Sequence, residues 1–114
     1  MTFPLEQIHP DMQLLYEYWR SISPDRRLPG RQHFDPADVL RLLPNLLLID
    51  VHREPMSFMI RLAGSKIEEF AGENLTGKRF AHRLKGVHLR RAEKNLRTVV
   101  NLKQPSWRRG KPLI

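Results

Sequence analysis

The sequence predicts an α+β fold, and three observations predict it. An amphipathic stretch at 10–22 and a longer one at 82–103 repeat apolar residues at helical spacing. Between them, "NLLLIDV" and "MSFMIRLAG" are short apolar runs of strand length, joined only by "HREP", a connection rich in turn formers. A chain of 114 residues suffices for one domain with a single core. The strands therefore form an antiparallel hairpin with helices over one face.

In the first segment Met12, Leu15, Tyr16, Trp19 and Ile22 share one helical face. Pro10 suits the first turn, and Asp11 suits the positive end of the helix dipole. Ser23-Pro24 disfavours continuation, and "PDRRLPGRQH" is a loop by its proline, glycine and charge content. Asp35-Pro36 then reads as an N-cap followed by a proline at the first helical position, with Asp38 three residues after the cap. A helix starts at 36, and Pro44 stops it near Leu43 by excluding its predecessor from the α region. About two turns are too few for independent stability, so packing must hold this helix.

In the hairpin, Val51 opposite Met56 sets Ile49 against Phe58 and Leu47 against Ile60. Side-chain alternation then gathers Leu47, Ile49, Val51, Met56, Phe58, Ile60 and Leu62 on a wholly apolar face. The other face, with Leu46, Leu48, Asp50, Ser57, Met59 and Arg61, is mixed. "SKIEEF" at 65–70 is a short helix, and Gly72 and Gly77 punctuate the loop after it. The long helix at 82–103 carries an apolar stripe (Leu89, Ala92, Leu96, Val99, Val100) and a basic one (Arg90, Lys94, Arg97). Gln104-Pro105 ends it, and "SWRRGKPLI" reads as one further strand.

Charge is distributed unevenly. Residues 1–75 hold 8 Lys+Arg against 11 Asp+Glu, whereas residues 76–114 hold 12 against the single acid Glu93. The basic stripe, with Trp107 among Arg108, Arg109 and Lys111, has the residue types for phosphate contact and stacking. No helix-turn-helix, zinc or RNP signature accompanies it, so nucleic acid is not an expected partner. A solvated face or a truncated chain accounts for the same charge.

The absence of cysteine excludes disulfides and thiolate chemistry. There is no apolar run of membrane-spanning length and no visible secretory signal, so no membrane partner is expected and the expected location is the cytoplasm. His9, His33, His52, His82 and His88 lack metal-ligand spacing, and no nucleophile motif or phosphate loop occurs. Glu68 and Glu69 fall on different helical faces. The expectation is a protein that is not an enzyme, with no metal and no cofactor indicated.

The blocks "HPDMQLLYEYWRSI", "LPGRQHFDPADVLRLLPNLLLIDV" and "FMIRLAGSKIEEFAGENLTGKRF" resemble, in order and spacing, a bacterial family of PAS-type domains over about residues 9–105. "RLAG…FAGENLTGK" is similar to a feature of PAS domains generally, a strand leading to a short helix, a glycine and a Leu-x-Gly loop. Arg31, Asp35-Pro36 and Leu43-Pro44 are the more family-specific part.

The resemblance implies a single PAS-like domain over 1–114, with an extra N-terminal helix and loop at 1–34 and the core at 35–114. A PAS sheet has five antiparallel strands, and only three are readable here. The expectation is therefore that the last strands lie past Ile114 or are supplied by another subunit. The implied function is sensory or regulatory: a module binding a small ligand or a signalling protein partner and transmitting through a dimer interface. The alternatives are a ligand-free interaction domain and a basic nucleic-acid-binding accessory protein.

Leu47, Ile49, Phe58, Ile60, Leu62 and Phe70, with Leu84, either line a small apolar ligand pocket or simply fill the core. Arg31 and Arg61 either clamp an anionic ligand or pair with nearby acids such as Asp35, Asp50 or Glu17. Met12, Leu15, Tyr16 and Trp19 either cover the mixed face of their own sheet or form the interface of a homodimer.

Overall fold

His9 and Pro10 start the first helix, α1 (Pro10–Ser21): the His9 ring nitrogen accepts the Asp11 N–H at 3.0 Å, and proline occupies the first turn. The computed structural model describes residues 9–23 and 28–106, which divide between Leu43 and Pro44 into two units. In the first unit the Asp11 carboxylate pairs with Arg41 at 3.0 Å. The Tyr18 hydroxyl accepts the Asp35 N–H at 3.0 Å and donates to the Asp38 carboxylate at 3.0 Å. Its ring meets Phe34 edge-on, with centroids 5.7 Å apart. These contacts tie α1 to the segment that follows it.

Asp35 caps as its position predicts, its carboxylate accepting the Ala37 N–H at 2.9 Å. The α-helix expected from 36 to 43 does not form. Its place is taken by separate 3-10 turns, Pro36–Val39 and Leu43–Asn45, following another at Arg31–His33. Their bonds run three residues back: Asp38 N–H to Asp35 C=O, Leu42 to Val39, Leu43 to Leu40. Length is not the reason, since the helix at Ser65–Ala71 is shorter still. Pro44, inside the last turn, has no N–H for the Leu40 carbonyl, its ring crowds that carbonyl in α geometry, and it disfavours the α region at Leu43.

In the second unit, β1 (Leu47–His52) and β2 (Ser57–Ala63) form a two-stranded antiparallel sheet. The register differs from the expected one: His52 faces Ser57, Val51 faces Phe58 and Ile49 faces Ile60. The loop has moved one residue along, to 53–56, so Met56 lies in the turn instead of the ladder. Pro55, which cannot donate to a ladder, now sits one residue further from it. Because the slip is even, the residues it moves keep their faces.

A second departure does change faces. The register shifts between Leu48 and Ile49, so that Leu48 opposes Leu62 and Leu47 opposes Ala63. Arg61 is the extra residue of a β-bulge. Past it, Ala63 replaces Leu62 on the Leu47 face, and Leu62 turns to the mixed one.

Helix α2 (Ser65–Ala71) ends at Gly72, whose φ of 76° lies in the left-handed region that a glycine cap supplies. The Glu68 carboxylate accepts the Leu75 N–H at 2.7 Å and folds the next loop back. At Gly77 (φ 85°) the chain reaches the outer edge of β2. The Gly77 N–H donates to Ile60 C=O at 2.7 Å, and the Ile60 N–H donates to Lys78 C=O at 2.8 Å. A 3-10 turn, Phe80–His82, precedes α3 (Gly86–Leu102), so the long helix starts later than 82.

Ile60, Ala63, Ala71 and Leu75 are buried together, with Leu47 and Ile67 packed on them. From α3, Arg97 lays its guanidinium 5.7 Å from the Phe58 ring centre and donates to Met56 C=O at 3.3 Å. Helices thus cover the apolar face of the hairpin, the arrangement expected of the α+β class. The strand expected at 106–114 falls almost wholly outside the described residues.

Candidate functional site

Helix α2 has only 7 residues and covers the hairpin no further than Ala71. Beyond it the cover is a loop and a 3-10 turn, which leave a partly open cavity of about 230 Å³. Leu47 and Ile60 come from the strands, Ile67 from α2, and Leu75, Phe80 and Leu84 from the connecting segment, with His82 and Arg83 completing the lining. An apolar cavity of about 150 Å³ already admits benzene or xenon, so this one has room for a somewhat larger molecule.

The polar lining belongs to a cluster organised by Glu73. Its carboxylate takes Lys78 Nζ at 2.7 Å, His82 Nε2 at 2.7 Å and Arg83 Nη1. The Lys78, Arg83 and His82 hydrogen bonds, strongest first, hold the Glu73 carboxyl at a pKa of about 2, against an ordinary 4.5. A lowered carboxyl pKa stabilises the fold fully above the unfolded value, and that contribution disappears as pH falls from 4.5 towards 2. Glu73→Gln is expected to flatten this part of the acid-stability profile. Urea midpoints measured through that window check it, and parallel profiles for the two proteins contradict it.

Of the residues singled out in the sequence, Leu47, Ile60 and Leu84 line the cavity. Ile49, Phe58 and Leu62 do not: Phe58 is buried beneath Arg97, and the bulge turns Leu62 away. Phe70 is 60% exposed, because Ile67 and Ala71, four apart, form the inward stripe of α2. Arg61 is held on the mixed face by Asp50 at 3.0 Å and does not reach the cavity. Arg31 opens the Arg31–His33 turn, and its side chain lies outside the described residues.

Ile67, Leu75, Phe80, His82 and Arg83 were not foreseen. The i, i+4 pair of Ile67 and Ala71 was the available signal for the first. In α1, Met12 is 46% exposed, Leu15, Tyr16 and Trp19 are half-buried, and Tyr16 stacks on Trp19 with centroids 6.2 Å apart. Among the described residues no His, Asp and Glu group is placed to hold a metal, and no helix is long and apolar enough to cross a membrane.

An antiparallel hairpin with helices on one face, and a Leu-Thr-Gly loop returning to its edge, define a PAS-like architecture. A PAS-domain family profile matches residues 7–109, and the chain belongs to that family. Its members are generally sensory or regulatory modules, not catalysts. No curated protein and no solved structure gives a significant match.

Proposed function

We propose that this PAS domain is a cytoplasmic sensory module that takes a small, mainly apolar ligand in the Leu47–Ile60–Leu84 cavity. The observation that carries this reading is the cavity itself, about 230 Å³ of apolar-walled space beside the core of a small domain. Interiors of this size are ordinarily packed close, and unfilled apolar space forfeits dispersion contacts. A ligand restores them, and each Å² of apolar surface it buries contributes ~25 cal/mol.

The cavity wall is also the switch element. Residues 72–84 are attached to β2 through Gly77 and Lys78, so an occupant that fits one arrangement of this segment biases it. We further propose that α1 makes a symmetric dimer contact through which that bias is passed on. No residue of α1 is buried, and exposed Met12 shares one helical face with half-buried Leu15, Tyr16 and Trp19.

Native mass spectrometry of the purified chain tests both parts. The expected spectrum is a dimer carrying a retained small molecule. A dimer at the bare polypeptide mass that also fails to take up added apolar compounds favours a ligand-free interaction domain.

A further inference from the structure

The walls and the mouth of the cavity differ in chemistry. Leu47, Ile60, Ile67, Leu75, Phe80 and Leu84 offer no polar side-chain atom, so a polar group carried deep inside would lose its hydration without a partner. The polar side chains of the lining, His82 and Arg83, stand 41% and 36% exposed. Both meet the Glu73 carboxylate, which Lys78 also contacts.

Two basic side chains, Lys78 and Arg83, thus face one carboxylate, and the cluster carries a positive excess. Arg83 has five N–H donors and gives one to Glu73, which leaves a planar donor edge beside the opening. Glu73, itself fixed by these partners, is the acid of this cluster, and the lining itself contains none. A ligand matching both parts has an apolar body and one negative end.

We propose that the cavity selects an amphiphilic monoanion: a short aliphatic chain or small ring bearing a single carboxylate, seated body inward with the carboxylate on Arg83. This rests on the reading that the cavity takes a small ligand, and it names the class. Size agrees, since the volume exceeds the about 150 Å³ that accommodates a bare benzene ring. The carboxylate stays at the partly exposed mouth, where it keeps part of its hydration and gains charge-assisted hydrogen bonds.

Calorimetric titration of the full chain with hexanoate and with 1-hexanol, equal in carbon number and differing in charge, tests this. Hexanoate is expected to bind about tenfold tighter, the scale of one hydrogen bond to a charged group. Arg83→Gln is expected to remove that preference while 1-hexanol still binds. On the unsubstituted chain the preference is expected to shrink with added salt, because the mouth is open to solvent. The salt series decides the matter if the variant loses 1-hexanol as well.

Equal affinity for the two probes overturns the anion selectivity and leaves the cavity reading intact. A preference indifferent both to salt and to Arg83→Gln overturns the role of Arg83. If neither probe binds, the cavity reading fails and the proposal fails with it.

Discussion

Phe58→Ala is expected to lower stability by about 3–5 kcal/mol, the range for removing a buried aromatic ring. Phe58 is 4% exposed and sits opposite Val51 near the hairpin turn. Its ring supports the Arg97 guanidinium, which also bonds the backbone of Met56, so the substitution loosens α3 as well as opening a void. Against a total of ~5–15 kcal/mol for a typical domain, the loss is a large share. Urea denaturation followed by circular dichroism checks it, and a change below about 1 kcal/mol would mean that the site is not close-packed.

Ile60→Ala is expected to cost about 2–5 kcal/mol, with a different consequence for binding. Ile60 is 5% exposed, belongs to the central cluster and forms part of the cavity wall. Truncating it widens the cavity, so larger apolar probes are expected to gain affinity relative to small ones. Phe58 is not on the wall, so Phe58→Ala is expected to leave that preference unchanged under folding conditions. Paired titrations of the two variants separate core from pocket. Equal changes in probe preference would deny the division.

The division was only half legible in the sequence. The apolar face of the hairpin was readable despite the misplaced turn, because a slip of two residues preserves side-chain parity. Alternation carries no mark of the bulge at Arg61, and so Leu62 and Ala63 exchanged faces. Asp35 was readable as a cap because capping is local chemistry, whereas Pro44 was readable as the end of a helix but not as a reason for the turns before it to close three residues back.

At the site, Leu47 and Ile60 followed from strand periodicity. Phe70 is the largest apolar side chain of α2, but the helical period puts Ile67 and Ala71 inward and Phe70 in solvent, so size and facing disagree there. Glu73, Lys78, His82 and Arg83 lie in a loop and a short turn, where no repeat links positions five to ten residues apart; only the fold brings them together.

The central claim is that an apolar molecule enters beside Ile60 and touches both the hairpin and the 72–84 segment. Methyl-resolved NMR during titration with 1-hexanol measures this most directly. The account predicts saturable shifts at the methyls of Leu47, Ile60, Ile67, Leu75 and Leu84, with those of Leu62 and Val51 unmoved. Methyls that stay still up to the solubility of the alcohol, or that shift uniformly across the protein without saturating, would contradict it.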